Sequence, residues 1–208
     1  MTCTNARIMK IKLTEAQYQL ILEEAIGIDN FLNKMVTSYP ETKEFKDMIK
    51  SDIDNAQCKE IKVEPIKNGL GLSLSDKLIL SPSIFNYSLS GFLYVFFHEL
   101  AHQYQFKKYG EKIMYDVYND KISLNDAANF MKNVENVADE FGVRKLQQLR
   151  RLGFIDYKDI EVTKSYENAS PVRFYLLIDQ VRKLLKGKNI TDSSEISEIF
   201  YNWVKVEV

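Results

Sequence analysis

The chain has 208 residues, 45% of them hydrophobic, which is enough to bury the core of one compact domain. Its 28 basic and 29 acidic residues leave a net charge of −1, so the broad positive field of nucleic-acid-binding proteins is missing and we expect no nucleic acid as a partner. The first residues lack the pattern of a signal peptide, and no apolar run approaches the roughly 18 residues of a membrane span, so we expect a cytoplasmic protein with no membrane partner. The two cysteines, Cys3 and Cys58, fit neither a disulfide framework nor a paired metal-binding motif, and we expect both to be reduced and without a role.

Two helices are predicted in the first 57 residues. Thr14 opens a T-E-A-Q sequence with capping-box spacing, and the apolar residues after it recur at helical intervals to about Ser38. The segment S-Y-P-E-T-K-E-F, residues 38–45, ends this helix and begins the next. Residues 1–57 are therefore interpreted as a helical hairpin within a single domain that covers residues 1–208.

A small β-sheet is predicted over residues 61–80. The segments I-K-V-E-P-I-K-N-G and L-G-L-S-L-S-D-K-L-I-L-S-P alternate apolar residues with small or polar ones, and a glycine and an Asp-Lys turn divide them. The rest of the chain has helical patterns at residues 88–109, at residues 123–152 and, as two C-terminal helices, at residues 170–204. The expected fold class is α+β and mainly helical.

The helix over residues 88–109 is apolar on almost every side, which predicts that it lies in the middle of the domain. Ser88 or Ser90 can cap its start. Its aromatic residues are interpreted as core, because such side chains at helical spacing pack more often than they bind ligands.

Both histidines of the chain, His98 and His102, lie on this helix with Glu99 between them, in the sequence H-E-L-A-H. Residues i and i+4 share a helix face, so two imidazoles can bind one metal ion about 2.0–2.1 Å from each nitrogen. Glu99 can reach a water held by that ion. The pattern predicts two zinc ligands and a general base on one helical turn. The competing interpretation is a pair of ordinary helical histidines beside a solvated glutamate.

A catalytic zinc ion commonly has three protein ligands, so a third donor has to come from another element, and no histidine remains to supply it. Glu135 and Asp139, in V-E-N-V-A-D-E-F-G, are four residues apart on one face of the helix over residues 123–152. Their neighbours on this helix are apolar, and carboxylates in apolar surroundings need a compensating partner.

Three other acidic residues are weaker candidates for the third ligand. Glu140 lies off the face that Glu135 and Asp139 share, and Glu111 and Asp116 are five residues apart, a spacing that does not align two side chains. A different interpretation is that Glu135 and Asp139 form ion pairs with basic residues of their own helix, which are Lys132, Arg144 and Lys145. These alternatives remain open on the residues alone.

The combination of H-E-L-A-H with E-N-V-A-D resembles the gluzincin group of zinc metallopeptidases, whose pattern is H-E-x-x-H followed by E-x-x-x-D. The small Ala138 before Asp139 is most similar to the E-x-x-A-D form of CAAX prenyl endopeptidase-like enzymes and of some phage or mobile-element metallopeptidases. The resemblance covers about residues 92–142. It implies a zincin-like fold, with a small sheet followed by the active-site helix and a helical C-terminal half.

The resemblance also implies a role for each residue of the two motifs. His98, His102 and Glu135 would bind Zn²⁺, Glu99 would be the general base, and Asp139 would orient His98. The implied activity is hydrolysis of peptide bonds in a peptide or protein substrate. The alternative from a different class is a zinc-binding accessory or regulatory protein without turnover, against which Glu99 argues because a structural zinc site has no use for a base.

Two further elements are expected to contribute to such a peptidase. An extended substrate can pair with an exposed strand beside the site, and residues 70–74 or residues 78–80 are the candidate strands. Gluzincins often add a side chain that stabilises the oxyanion, for which the sequence offers Arg173, Tyr166 and Tyr175 as possible oxyanion stabilisers. Each of the two tyrosines has a competing role in packing.

Overall fold

The computed structural model of the protein describes residues 27–66, 69–74, 76–109, 116–156, 171–188, 190, 195–196, 199 and 202, with the backbone alone for residues 171–175. It is mainly helical with one three-stranded sheet, which confirms the expected mainly helical α+β class. The elements in chain order are α1 (Ile28–Ser38), a 3-10 helix (Pro40–Phe45), α2 (Lys46–Ala56), β1 (Glu60–Val63), β2 (Gly71–Ser73), β3 (Lys77–Leu80), a second 3-10 helix (Pro82–Asn86), α3 (Leu89–Tyr109), α4 (Leu124–Arg151) and α5 (Pro171–Leu185).

The helix predicted from Thr14 to Ser38 is not continuous through Gly27. Gly27 precedes α1 with a φ of 106°, a backbone conformation outside the helical region, so the described helix starts at Ile28 rather than continuing from Thr14. Residues 14–26 lie outside the described part of the chain. The end at Ser38 agrees with the prediction, and Pro40 then opens the short 3-10 helix that leads into α2.

The sheet has the strand order β1-β3-β2, with β3 in the centre. Strand β1 runs parallel to β3, with Glu60 opposite Lys77, and β2 runs antiparallel to β3, with Gly71 opposite Leu80. The central strand uses its backbone groups on both sides, whereas β2 pairs with β3 along one edge only among the described residues.

Helix α3 lies in the main core, as its apolar surface predicted. Ser88 caps it, because its Oγ accepts a hydrogen bond from the backbone N–H of Gly91 at 3.2 Å. Its aromatic side chains are buried against α1, where Phe31 stacks on Phe96 with ring centroids 5.3 Å apart. Buried polar groups on such a helix normally find hydrogen-bond partners, and several polar residues of α3 build the site described below.

Helix α4 crosses α3 and contributes to two separate hydrophobic clusters. Ser123 caps its start by accepting from the N–H of Asp126 at 3.1 Å. The C-terminal half of α4 adds Leu146 and Leu149 to the main core, and its N-terminal half joins a smaller cluster with α5. The two halves meet at the segment that carries the E-N-V-A-D motif.

Close approach of the two long helices depends on a glycine. A Cβ at Gly142 would lie 3.2 Å from the ring of Tyr94 and 3.3 Å from its carbonyl oxygen, which is tighter than ordinary packing contacts. Lys145, one turn beyond, forms an ion pair with Asp52 of α2 at 2.5 Å and lies over the rings of Phe97 and Phe141. These contacts fix the position of α4 against α3 and α2.

Two further sequence expectations concern the cysteines and membrane-spanning helices. Cys58 is a buried free thiol whose pKa burial raises to about 11, in line with an inert cysteine, and Cys3 lies outside the described residues. In the part of the chain that the structure describes, no helix combines the length and the apolar character needed to cross a membrane.

Candidate metal centre

The H-E-L-A-H turn of α3 and the E-N-V-A-D turn of α4 face each other. The Nε2 atoms of His98 and His102 lie 3.2 Å apart. Glu135 approaches both rings from α4, with its Oε2 3.3 Å from Nε2 of His98 and its Oε1 3.6 Å from Nε2 of His102. The two helices thus bring three potential ligands from distant parts of the sequence to one point.

The donor set fits a tetrahedral zinc ion. Two donors that each bind zinc at about 2.0–2.1 Å with tetrahedral angles lie roughly 3.3 Å from one another. The two Nε2 atoms are 3.2 Å apart, and the distances of 3.3 and 3.6 Å from them to the carboxylate of Glu135, each to a different oxygen, are close to this value. One ligand atom from each of His98, His102 and Glu135 lies within 4.8 Å of the other two. Two imidazoles and one carboxylate are also the donor types of a catalytic site with a fourth position for water.

Asp139 and Tyr94 surround the far side of the His98 ring. Oδ1 of Asp139 lies 2.8 Å from Nδ1 of His98 and accepts a hydrogen bond from the Tyr94 hydroxyl at 2.6 Å. Burial alone would lower the pKa of His98, but the hydrogen bonds to Asp139 and Glu135 outweigh it and raise this pKa to about 10. In the metal-free protein His98 is therefore protonated at neutral pH, and a metal ion has to displace that proton.

His102 has an uncharged partner in place of a carboxylate. Oε1 of Gln105 lies 2.7 Å from Nδ1 of His102, and the amide nitrogen of Gln105 donates to the carbonyl oxygen of Val134 at 2.7 Å. The side chain of His102 is 14% exposed, compared with 9% for His98. Nδ1 of each ring thus has an acceptor, and both Nε2 atoms are left for a ligand on the side of Glu135.

Glu99 lies next to the histidine face of α3, on the side that packs against the sheet. A Cβ at Gly71 of strand β2 would be 2.4 Å from Cγ of Glu99 and 2.7 Å from its Oε1, so the side chain packs directly on the glycine backbone. Burial raises the pKa of Glu99, and the charges of His98 and His102 oppose this rise. Because these imidazoles act on it electrostatically, its carboxyl group is close to the cluster, as a base for a metal-held water has to be.

The structure places the other candidate ligands away from this cluster. Glu140 is largely exposed and pairs with Arg144 at 3.1 Å, and Lys145 pairs with Asp52, so neither basic residue is the partner of Glu135 or Asp139 that the competing interpretation required. Asp116 lies in the helical segment over residues 116–118, before the turn that leads to α4, and is absent from the ligand group found among the described residues. Glu111 lies outside the described part of the chain.

None of the three proposed oxyanion stabilisers has a described side chain. Tyr166 lies outside the described residues altogether. Arg173 and Tyr175 belong to α5, where the backbone alone is described at these positions. Their assignment stays a prediction.

Three residues of the site were missed by the sequence analysis: Tyr94, Gln105 and Gly71. The first two had a usable signal, because Tyr94 precedes His98 by four residues and Gln105 follows His102 by three, so they continue the histidine face of an otherwise apolar helix. Gly71 had none, since its contact with Glu99 depends on how the sheet meets α3.

The chain matches no protein-family model, no curated protein and no solved structure.

Proposed function

We propose that the protein is a zinc-dependent peptidase with a zincin-like fold. The observation that carries the proposal is the convergence of His98 and His102 on α3 with Glu135 on α4, at separations that suit one tetrahedral ion. The chemistry of the cluster supports it as well, because the carboxyl groups of Glu99, Glu135 and Asp139 lie around the two imidazoles, and acidic groups in a largely buried site need a cation or a hydrogen-bond partner.

In this proposal the side chains divide the work of peptide hydrolysis. A zinc ion held by the three ligands would act as a Lewis acid on the scissile carbonyl and lower the pKa of water toward about 7. Glu99 accepts a proton from the attacking water and donates it to the leaving amine, so Glu99 returns to its starting protonation state after each turnover. Asp139 holds the ring of His98 by accepting from Nδ1, which keeps Nε2 directed at the ligand position.

Strand β2 is the substrate strand in this proposal. The two candidates from the sequence differ in their place in the sheet: residues 78–80 lie in central β3, whose backbone groups are already paired on both sides, so that candidate was wrong. Gly71 of β2 contacts Glu99, and β2 pairs with β3 alone among the described strands. A peptide paired with the open edge of β2 would pass next to the base.

The backbone pairing of a substrate can be tested without changing the protein. Peptides with one N-methylated amide near the cleavage site lose a hydrogen-bond donor while keeping their side chains. We expect the KM of such peptides to rise, with a return to the parent value when the methyl group is moved several residues away. Equal KM values for every N-methyl position would remove the substrate role of β2.

The test of the activity itself uses Glu99→Gln and His98→Ala, with zinc content measured by mass spectrometry and turnover by cleavage of a peptide library. Glu99→Gln should keep its zinc and lose roughly 10²–10⁴-fold in turnover, and His98→Ala should lose both. Glu140→Gln is the matched control, because Glu140 is an exposed glutamate on the neighbouring helix and its change should alter neither quantity.

Two outcomes of this experiment would contradict the proposal. Full turnover by zinc-loaded Glu99→Gln would remove the general base and the mechanism with it. Zinc binding by the wild type without cleavage of any library peptide would favour the alternative, a zinc-binding accessory or regulatory protein.

A further inference from the structure

Gln105 is a buried amide on α3 that bonds at both of its ends. Its side chain lies one turn beyond His102, and the residue is 9% exposed. Oε1 is 2.7 Å from Nδ1 of His102, and Nε2 donates to the carbonyl oxygen of Val134 on α4 at 2.7 Å. One side chain therefore connects the second histidine to the helix that carries Glu135.

The orientation of this amide follows from the chemistry of its partners. A backbone carbonyl can only accept, so the amide nitrogen of Gln105 has to face Val134 and the amide oxygen has to face the imidazole. The oxygen in turn requires a proton on Nδ1 of His102. The lone pair of that ring then lies on Nε2, the atom that is 3.2 Å from Nε2 of His98.

We infer that Gln105 is a positioning residue that fixes His102 in the Nδ1–H tautomer and ties it to α4 beside the third ligand. The inference rests on the proposed zinc site, and it goes beyond that site because the H-E-L-A-H and E-N-V-A-D motifs do not include position 105. Val134 immediately precedes Glu135, so the hydrogen bond to its carbonyl also restrains the backbone that holds the Glu135 side chain.

The two histidines are thus oriented by different means. His98 depends on the carboxylate of Asp139, which comes from α4. His102 depends on a neutral amide of its own helix, which is itself held by α4. Partners of this kind outside the ligand set typically contribute about 10- to 100-fold to metal affinity, since they fix the tautomer and the angle of the ring.

The variants that test the inference are Gln105→Leu and Gln105→Glu, with zinc affinity measured by competition with a chelator. Gln105→Leu removes both hydrogen bonds, and we expect its zinc dissociation constant to rise about 10- to 100-fold. Gln105→Glu keeps an oxygen for Nδ1 of His102 and should recover most of that loss. If Gln105→Glu binds zinc as weakly as Gln105→Leu, the amide oxygen does not orient His102.

Gln103→Leu is the matched control for a purely structural effect. Gln103 is a buried amide two residues earlier on α3, and its Nε2 donates to Ser73 Oγ and to the carbonyl oxygens of Leu74 and Lys77, on the sheet side and away from the ligands. We expect this control to lower the melting temperature while leaving zinc affinity within about threefold of the wild type. Equal losses of zinc affinity for Gln103→Leu and Gln105→Leu would overturn the inference.

The tautomer of His102 gives a readout that needs neither a variant nor bound zinc. A long-range ¹H–¹⁵N spectrum of the metal-free wild type above pH 8 should show the His102 proton on Nδ1, and a proton on Nε2 would contradict the inference. The failures of the two proposals are also distinguishable. A wild type that binds no zinc defeats the proposed function and, with it, the role of Gln105 in zinc binding. A zinc-binding wild type with an Nε2–H tautomer at His102 defeats the role of Gln105 alone.

Discussion

At the candidate site, helix α3 packs against two different surroundings, the polar residues of α4 on one side and strand β2 on the other. We call them the α4 wall and the β2 wall. Toward α4, His98 and His102 meet Glu135 and Asp139, and every imidazole nitrogen has a polar atom within 3.3 Å. On the same side, Gln105 donates to the carbonyl oxygen of Val134. Toward the sheet, Glu99 packs on the backbone of Gly71 with no side chain between them. The α4 wall is a network of polar contacts, and the β2 wall is a close steric fit.

The proposed ligands and the proposed base are therefore held in place by separate contacts. A change on the α4 wall removes a ligand or the partner of a ligand, so it should act on zinc affinity. A change on the β2 wall moves the base without touching a ligand, so it should act on turnover with zinc in place. Variants on the two walls can therefore test this division.

The largest effect is expected from Glu135→Gln on the α4 wall. The amide lacks the charge of the ligand that approaches both imidazoles, at 3.3 and 3.6 Å. Loss of a residue that only hydrogen-bonds to a metal ligand lowers affinity by up to roughly 100-fold, so loss of a ligand itself should lower zinc affinity by more than that. Chelator competition measures the loss, and Glu140→Gln on the same helix is the control. A zinc affinity within tenfold of the wild type would mean that Glu135 is not a ligand.

On the β2 wall, Gly71→Ala should lower kcat about 100-fold with zinc content unchanged. The glycine has no positive φ that would exclude alanine, but the added Cβ would lie 2.4 Å from Cγ of Glu99, so the base or the strand has to move. Displacement of a reacting group by about 1 Å is enough for such a loss. Steady-state kinetics with parallel zinc analysis checks it. If zinc is lost together with activity, the two walls are not independent.

Asp139→Asn is expected to have the next largest effect, a loss of roughly 10- to 100-fold in zinc affinity. The amide is nearly isosteric but carries no charge to balance the His98 ring, and its nitrogen can turn toward Nδ1. Isothermal titration of the metal-free variant measures the change. Tyr94→Phe is a graded companion, since it removes only the hydroxyl that donates to the same carboxylate oxygen. An equal loss in both variants would argue for general disruption of α3 against α4.

The separation of the walls also explains what could be predicted from the sequence. The pairing of His98 with His102 is a local property of one helix, so spacing alone was sufficient. The approach of Glu135 depends on the crossing of α3 and α4, which a resemblance suggested but helical periodicity could not supply. The contact between Gly71 and Glu99 depends on strand order and on the position of the sheet, and no local pattern encodes either.

The same limit applies to the fold. Helical periodicity and capping residues predicted helices α3 and α4 with their starts, because Ser88 and Ser123 act on their own helices. The strands were predicted as a region, but the parallel pairing of β1 with β3 was not, since pairing partners are separated in the chain. The prediction of one continuous helix up to Ser38 was wrong at Gly27, because its positive φ interrupts the helix that the apolar pattern predicted.

The smallest expected effect, about tenfold in zinc affinity per pH unit, concerns the proton on the α4 wall. Because the pKa of His98 is raised to about 10 in the metal-free protein, that ring loses a proton when zinc binds, and apparent affinity should still rise tenfold per unit between pH 7 and pH 8. An ordinary histidine with a pKa of about 6.5 would give a nearly flat profile there. The measurement belongs in the Glu99→Gln background, which removes the second titrating group with a raised pKa.

The same raised pKa fixes the sign of the stability change in the metal-free protein. Since the folded-state pKa of His98 exceeds the unfolded value, its contribution to the free energy of unfolding is complete below about pH 6.5 and is lost as pH rises toward 10. The melting temperature of the metal-free Glu99→Gln variant should therefore fall between pH 7 and pH 10, and Asp139→Asn in the same background should flatten that fall. A profile that is unchanged by Asp139→Asn would show that Asp139 does not hold the His98 proton. The α4 wall would then lack the hydrogen bond between His98 and Asp139 that most distinguishes it from the β2 wall.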